Sequence, residues 1–261
     1  MRGWRRIGGL LLAALLLWTG CGWGQDDLPP GWDAVLQATA RLDDPGERVV
    51  QISARFLGTP YRANTLEGGP AIPEQLTIRL EAVDCFTLLD YVEALRRSAT
   101  PAEFRTHLVE VRYRDGIIAW DHRRHFFTDW VAAPGGPVVN LTAKIGGKST
   151  QKMLKQLNRR ADGTRYLPGV AVQERPVRFI PAAALDDSVL KRLRSGDYLG
   201  IYAPEAGLDV SHVGIVVRTD DNKLLLRHAS SRREAGRVID SDLRAYLAGK
   251  PGIIILRPVA P

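Results

Sequence analysis

From residue 85 onward, apolar side chains recur at helical spacing: Leu88, Leu89, Val92 and Leu95. No proline interrupts the run, and Asp84 stands before it as a good N-cap residue. The pattern predicts a helix over 84–98 with Cys85 in its first turn. Residues 32–41 and 48–57 read as two earlier helices, the second stopped by Gly58-Thr59-Pro60-Tyr61. Residues 62–82 read as a loop, broken by Gly68-Gly69-Pro70 and Pro73, with a short strand near 76–80. After Thr100-Pro101 a further helix is expected over 102–108. Residues 109–120 alternate enough to predict a strand hairpin turning at Arg114-Asp115-Gly116. Residues 148–160 read as a weak helix. From Ser195 on the pattern is strand after strand, at 198–202, 211–217, 223–229, 237–239 and 253–257. Helices first and an antiparallel sheet second make an α+β architecture.

No repeat or linker marks a second domain. The chain divides into an N-terminal leader over 1–21, a Gly-, Pro- and Asp-rich tether over 22–47, and one domain over 48–261 with an elaboration at about 109–187. The leader reads as an export signal. Arg2, Arg5 and Arg6 form its charged part, and Ile7 to Leu17 an apolar run too short to span a bilayer comfortably. It ends in Trp18-Thr19-Gly20-Cys21, which resembles the bacterial lipoprotein signal, with Trp18 where a leucine is usual. On that reading Cys21 becomes the lipidated first residue, and the protein is exported to the cell envelope or periplasm and held at a membrane. The alternative is a plain secreted protein cut near Gly22.

The formal charge is +7. Three of those seven charges lie in the leader, which leaves four for the rest. Such an excess suits an anionic polymer without requiring one, and no arginine-rich arm or zinc-finger spacing points to nucleic acid. Cysteine count changes the picture more. There are two, Cys21 and Cys85. With Cys21 acylated or removed, Cys85 has no disulfide partner. A cysteine in the first turn of a helix faces unpaired backbone N–H groups and the positive end of the dipole, which favours the nucleophilic thiolate. The bland reading is a small buried hydrophobe. An unpaired thiol in an exported protein favours the reactive one.

His212 opens one predicted strand and His228 ends the next. They lie directly opposite, on one face, if the hairpin is centred on residue 220 with a loop over 218–222. In that register Gly214 faces Leu226 and Val216 faces Leu224. A shift by one residue would put the rings on opposite faces. Opposed imidazoles suit one job: one takes a nucleophile's proton, the other fixes its tautomer. With Cys85 they would make a Cys–His–His constellation. The alternative is two strand-end histidines that bond locally.

These pieces resemble the NlpC/P60 cysteine peptidase superfamily, which cleaves bacterial cell-wall peptides. Leu57-Gly58-Thr59-Pro60-Tyr61 is similar to its segment upstream of the nucleophile. Asp84-Cys85 is similar to its nucleophile dipeptide, with Phe86 in place of the usual small residue. Ser211-His212-Val213-Gly214-Ile215 is similar to its histidine strand, and His228-Ala229-Ser230 to its third catalytic position. Arg124-His125-Phe126-Phe127-Thr128-Asp129-Trp130 and Gly207-Leu208-Asp209-Val210-Ser211-His212 resemble the DUF1460 branch, associated with N-acetylmuramoyl-L-alanine amidase activity. Phe126-Phe127 departs from that branch's usual tyrosine.

The resemblance implies a papain-like fold, a cysteine-dependent amidase acting on peptidoglycan or muropeptides, no cofactor and a monomer. It implies Cys85 as a thiolate nucleophile, His212 beside it as the imidazolium that then protonates the departing amine, and His228 as the partner that orients His212. Tyr61 and the Cys85 N–H would hold the oxyanion, with Asp84, His125, Asp129, Trp130, Asp209, Ser211 and Ser230 around the substrate. Two rivals stay open: an endopeptidase cutting γ-D-glutamyl bonds, and a non-catalytic lipoprotein that binds peptidoglycan. His122 and His125 have HxxH spacing, but two histidines beside Arg123 and Arg124 make a poor cation site, so no metal is expected. Ser149-Thr150-Gln151-Lys152 fits SxxK without its companion motifs.

Overall fold

The computed structural model describes residues 28–132, 136 and 138–260; the expected export signal and Cys21 lie outside them. Two helices come first, α1 (Trp32–Ala40) and α2 (Pro45–Ala54). Leu28, Trp32 and Leu36 are buried in the core, so the packed domain includes residues 28–47 and is not confined to 48–261. Next is α3 (Cys85–Arg97), whose capping box is complete. The Asp84 carboxylate accepts from Phe86 N (3.0 Å) and Thr87 N (2.7 Å), and Thr87 Oγ1 accepts from Asp84 N (2.9 Å). Then comes α4 (Pro101–Arg112), capped by Thr100.

Two expectations fail around these helices. Residues 76–80 form no strand; Arg79 N donates instead to the Tyr91 hydroxyl at 2.8 Å. Residues 109–112 continue α4, because Phe104, Leu108 and Val111 bury a helical stripe that outweighs the local alternation. Arg114-Asp115-Gly116 does turn the chain, with Asp115 left-handed at φ 57°, but it joins no strands.

The rest of the chain is built on the sheet. In order come β1 (Val138–Asn140), α5 (Thr142–Gly146), β2 (Gln151–Leu157), β3 (Gln173–Pro181) and α6 (Asp187–Leu190). β4 (Tyr198–Tyr202), β5 (Val210–Arg218), β6 (Leu224–Ala229), β7 (Val238–Asp242), α7 (Leu243–Leu247) and β8 (Gly252–Pro258) complete it. The strand order is β2-β3-β8-β4-β5-β6-β7, with β1 paired to β8, and every pairing is antiparallel. Residues 151–157 are therefore a strand and not a helix. Only Lys155 and Leu157 of that strand are buried, so it shows almost no apolar pattern to read.

The central strands are covered on both faces. Tyr198, Val213, Ile215, Ile254 and Leu256 meet α1–α4 on one side. Leu199, Ile201, Val216, Leu226, Ile253 and Ile255 meet α6 and α7 on the other. Neighbouring residues of one strand thus enter different cores, as the two-residue period of a strand requires. Burial on this scale, at about 25 cal/mol per Å² of apolar surface, is what holds the first residue of α3 against the start of β5.

Candidate active site

Cys85 is the first residue of α3, and α3 packs on β5 and β6. The Asp84 carboxylate takes the N–H groups of Phe86 and Thr87, and leaves that of Cys85 facing its own sulfur, beside the Val213 N–H. Cys85 and His212 line one cavity of about 210 Å³, together with Phe86, Phe127, Tyr166, Leu167 and Leu208. No hydrogen bond joins Sγ to His212.

His212 reaches this cavity through an irregular strand. Ile201 pairs with His212 and Tyr202 with Val210, so Ser211 is the extra residue of a β-bulge. The β5–β6 register differs from the one expected. Val216 pairs with Leu226 and Arg218 with Leu224, so the hairpin is centred on residue 221 and its loop runs over 219–223. Thr219 closes that loop, its N–H donating to Lys223 O at 2.9 Å. Continuing the register carries His212 toward Ser230 and puts His228 on a diagonal. Moving the centre by one residue shifts the register by two, which preserves parity, so both rings stay on one face. His212 Nε2 and His228 Nδ1 are 2.9 Å apart, with the rings nearly perpendicular.

The chain of contacts extends beyond the two histidines. His228 Nε2 lies 3.1 Å from Ser241 Oγ, and the Tyr246 ring packs against both imidazoles, 4.9 Å from His228 and 6.0 Å from His212. Sequence reasoning found neither Ser241 nor Tyr246. With both nitrogens of His228 engaged and Nε2 of His212 engaged, Nδ1 of His212 is the ring nitrogen left free.

Electrostatics hold the resting site neutral. Burial first, then the Asp84 carboxylate, pushes the Cys85 thiol up to about 12, against the N–H groups of Val213, Cys85 and Phe86. Burial first, then His228, Lys250 and Arg232, lowers His212 to about 3. Burial first, then Arg232, lowers His228 to about 4, with Asp240 opposing. The helix-end thiolate expected from position alone is thus outweighed by burial and by Asp84. Tyr61 lies close enough to feel the sulfur: burial, then Cys85, then Asp84, raises its phenol.

The other candidates fall into two groups. His125, Asp209 and Ser211 line the cavity, but His125 Nε2 is bonded to Trp120 O (2.8 Å). The buried Asp209 carboxylate accepts from Thr128 N (2.7 Å), Thr128 Oγ1 (2.8 Å) and Val210 N (2.8 Å). Asp129, Trp130 and Ser230 lie outside the cavity. Asp129 accepts from Phe126 N and pairs with Arg175 at 2.7 Å. Trp130 packs edge-on against Tyr198, and Ser230 is buried. His122 Nδ1 is tied to Asp121 at 3.1 Å and His125 Nε2 to Trp120 O, so each histidine has one ring nitrogen engaged elsewhere. Among the described residues no three His, Cys, Asp or Glu side chains are grouped to hold a metal ion.

The AmiA-like family model, described as N-acetylmuramoyl-L-alanine amidase-like, matches residues 51–253. Among solved structures, the fold is similar to a Legionella pneumophila protein of family DUF1460. That likeness has a TM-score of 0.71 at 23% identity, covering 87% of this chain and 94% of that one. It is also similar to an N-acetylmuramoyl-L-alanine amidase from Bacteroides uniformis, with a TM-score of 0.67 at 28% identity, covering 83% of this chain and 99% of that one. No curated protein matches.

Proposed function

Because the chain belongs to the AmiA-like, N-acetylmuramoyl-L-alanine amidase-like family, we propose that it hydrolyses the amide between N-acetylmuramic acid and L-alanine in peptidoglycan or its fragments, with Cys85, His212 and His228 on a papain-like scaffold of the NlpC/P60 type. The observation that carries the mechanism is the 2.9 Å contact between the two imidazoles. It leaves Nδ1 of His212 as the base for the thiol that shares its cavity.

The neutral resting pair dictates the order of events. The substrate carbonyl enters beside Cys85, and Sγ attacks its carbon while Nδ1 of His212 takes the thiol proton. A neutral thiol is a weak nucleophile, so transfer and attack are coupled. The oxyanion is held by the Cys85 N–H, with the Tyr61 hydroxyl as second donor. The C–N bond then breaks, and imidazolium His212 returns the proton to the departing L-alanine nitrogen. Water attacks the thioester with His212 again as base. The lactyl carboxylate leaves, and the thiol is restored. His228 keeps Nδ1 of His212 aimed at the sulfur, and Ser241 holds His228.

The test is digestion of defined muropeptides by wild type and Cys85→Ala, read by mass spectrometry. Free stem peptide beginning with L-alanine supports the amidase. L-alanine retained on muramic acid, with cleavage further along the stem, refutes it in favour of an endopeptidase. Equal cleavage by Cys85→Ala ends the thiol mechanism. We further propose export and tethering through Cys21; Cys21→Ala should then move the protein from the membrane to the soluble fraction.

A further inference from the structure

The cavity is walled by two segments that contribute nothing to the proton chain. One carries Tyr166 and Leu167, the other Leu208 and Asp209. Both are held from the same place, the end of β2, by two buried polar residues that stay outside the cavity.

Lys155 is 1% exposed. A lysine so buried is rare without a carboxylate partner. Here the ammonium donates to three backbone carbonyls, Ala203 O (2.7 Å), Pro204 O (3.2 Å) and Glu205 O (2.8 Å), and lies 4.5 Å from the centre of the Tyr202 ring. Its three N–H donors therefore match three acceptors, all in the segment that leads to Leu208 and Asp209. The backbone continues the same contact, with Gln156 N donating to Ala206 O (3.1 Å) and Asn158 N to Gly207 O (2.8 Å).

Asn158 is fully buried and left-handed, at φ 77°. Its side chain donates to Leu167 O (2.9 Å) and Val170 O (2.8 Å) and accepts from Leu167 N (2.7 Å). Its carbonyl accepts from Tyr166 N (3.1 Å). One residue therefore ties Gly207 on one segment to Tyr166, Leu167 and Val170 on the other. The join is tight, since a Cβ at Gly207 would stand 2.1 Å from Arg159 O and 2.8 Å from the Tyr166 ring.

We propose that Lys155 and Asn158 are positioning residues that set both substrate-facing walls of the cleft and, through them, its affinity for substrate. They touch neither the substrate nor the Cys85–His212–His228 chain. Their effect is on how the substrate is seated, which is where small misplacements cost rate. The effect on affinity rests on the amidase reading; the placement of the walls does not.

The test uses Asn158→Gly, which keeps the left-handed backbone and deletes the three side-chain bonds, and Lys155→Met, which keeps most of the volume and deletes the ammonium. Hydrogen exchange should rise in 165–170 for Asn158→Gly and in 203–209 for Lys155→Met, with α3 and the β5–β6 hairpin unchanged. On a muropeptide, KM should rise about tenfold with kcat within about threefold, and Cys85 should react with iodoacetamide at the wild-type rate. Unchanged exchange in those segments overturns the proposal, as does unchanged KM despite faster exchange. Loosening that spreads into α3 and β5, with slowed alkylation, also overturns it by making the role merely structural. If wild type cuts no muropeptide, the amidase reading fails, and the exchange arm still decides whether the walls are held from β2.

Discussion

Replacing His228 with asparagine should flatten the acid limb of the stability profile. His228 is 3% exposed, and in the folded chain it titrates near 4 instead of at its ordinary 6.5. Above pH 6.5 the ring is neutral in both folded and unfolded chains, so it adds no pH dependence. As pH falls below 6.5, the unfolded chain takes up a proton that the folded chain refuses. Stability is then lost at about 1.36 kcal/mol per pH unit, until the folded ring titrates too. By pH 4 the accumulated loss is about 3 kcal/mol. His212 adds in the same direction, because His228 is among the causes that lower it. The assay is urea unfolding of wild type and His228→Asn at pH 7, 6, 5 and 4, followed by the fluorescence of the buried Trp32 and Trp130. The asparagine variant starts lower at pH 7 because it loses a packed ring. The difference between the two proteins should shrink by about 3 kcal/mol toward pH 4. Parallel profiles would mean that His228 titrates normally, and the buried neutral imidazole pair would be wrong.

Three further substitutions separate the parts of the site. Ser241→Ala removes the group 3.1 Å from His228 Nε2; a lost hydrogen bond of about 1.4 kcal/mol lowers kcat about tenfold with KM unchanged, measured by steady-state muropeptide hydrolysis. Asp84→Asn keeps an acceptor for the α3 cap and removes the second-largest cause of the raised thiol. Its thiol should titrate lower, and iodoacetamide should alkylate it about threefold faster at pH 8, a roughly tenfold gain in thiolate being partly offset by weaker nucleophilicity. Gly214→Ala would place a Cβ 2.7 Å from the Leu226 side chain and 2.9 Å from Arg227 O. It should destabilise by about 1–3 kcal/mol, lowering Tm by about 2–4 °C for each, and reduce cleavage by disturbing the imidazole contact.

The helix that begins at Cys85 was legible because everything that makes it is local. Asp84 as cap, Thr87 closing the box and the Leu88–Leu95 stripe lie within a dozen residues. The two histidines were legible through parity, which survives an error in the loop. Placing the turn one residue early misassigned every partner yet left both rings on the same face. β2 and β3 were not legible. Their pairing buries few apolar side chains on β2, and what fastens that strand is Lys155 and Asn158, polar residues whose partners lie from 9 to about 50 positions away. Tyr166 and Leu167, which line the cleft, are tied to Asn158 by such bonds. Ser241 lies on β7 and Tyr246 on α7, and no short motif announces the register of β7, in which His228 pairs with Ile239 and Ser241 stands on the diagonal.

The charge state of Cys85 is where local and tertiary reasoning diverge: burial of the thiol is the larger reason and Asp84 the second. Position at the start of a helix by itself favours a thiolate, because free N–H groups and the dipole face the sulfur. The residue that starts this helix is a carboxylate. By capping Phe86 and Thr87 it takes the Thr87 N–H and shares that of Phe86 with the sulfur, and its own charge then opposes a second negative charge next door. Burial beneath the walls of the cleft adds the larger cost. A site built this way has no standing ion pair with which to attack. The proposed mechanism depends on a base that is neutral, unoccupied at one nitrogen and fixed at the other, which is the condition that His228 and Ser241 impose on His212. On that mechanism the second histidine is needed because the thiol is buried and the first turn of α3 is so well capped: the stronger the helix start, the more the thiol would rely on its neighbour to lose its proton.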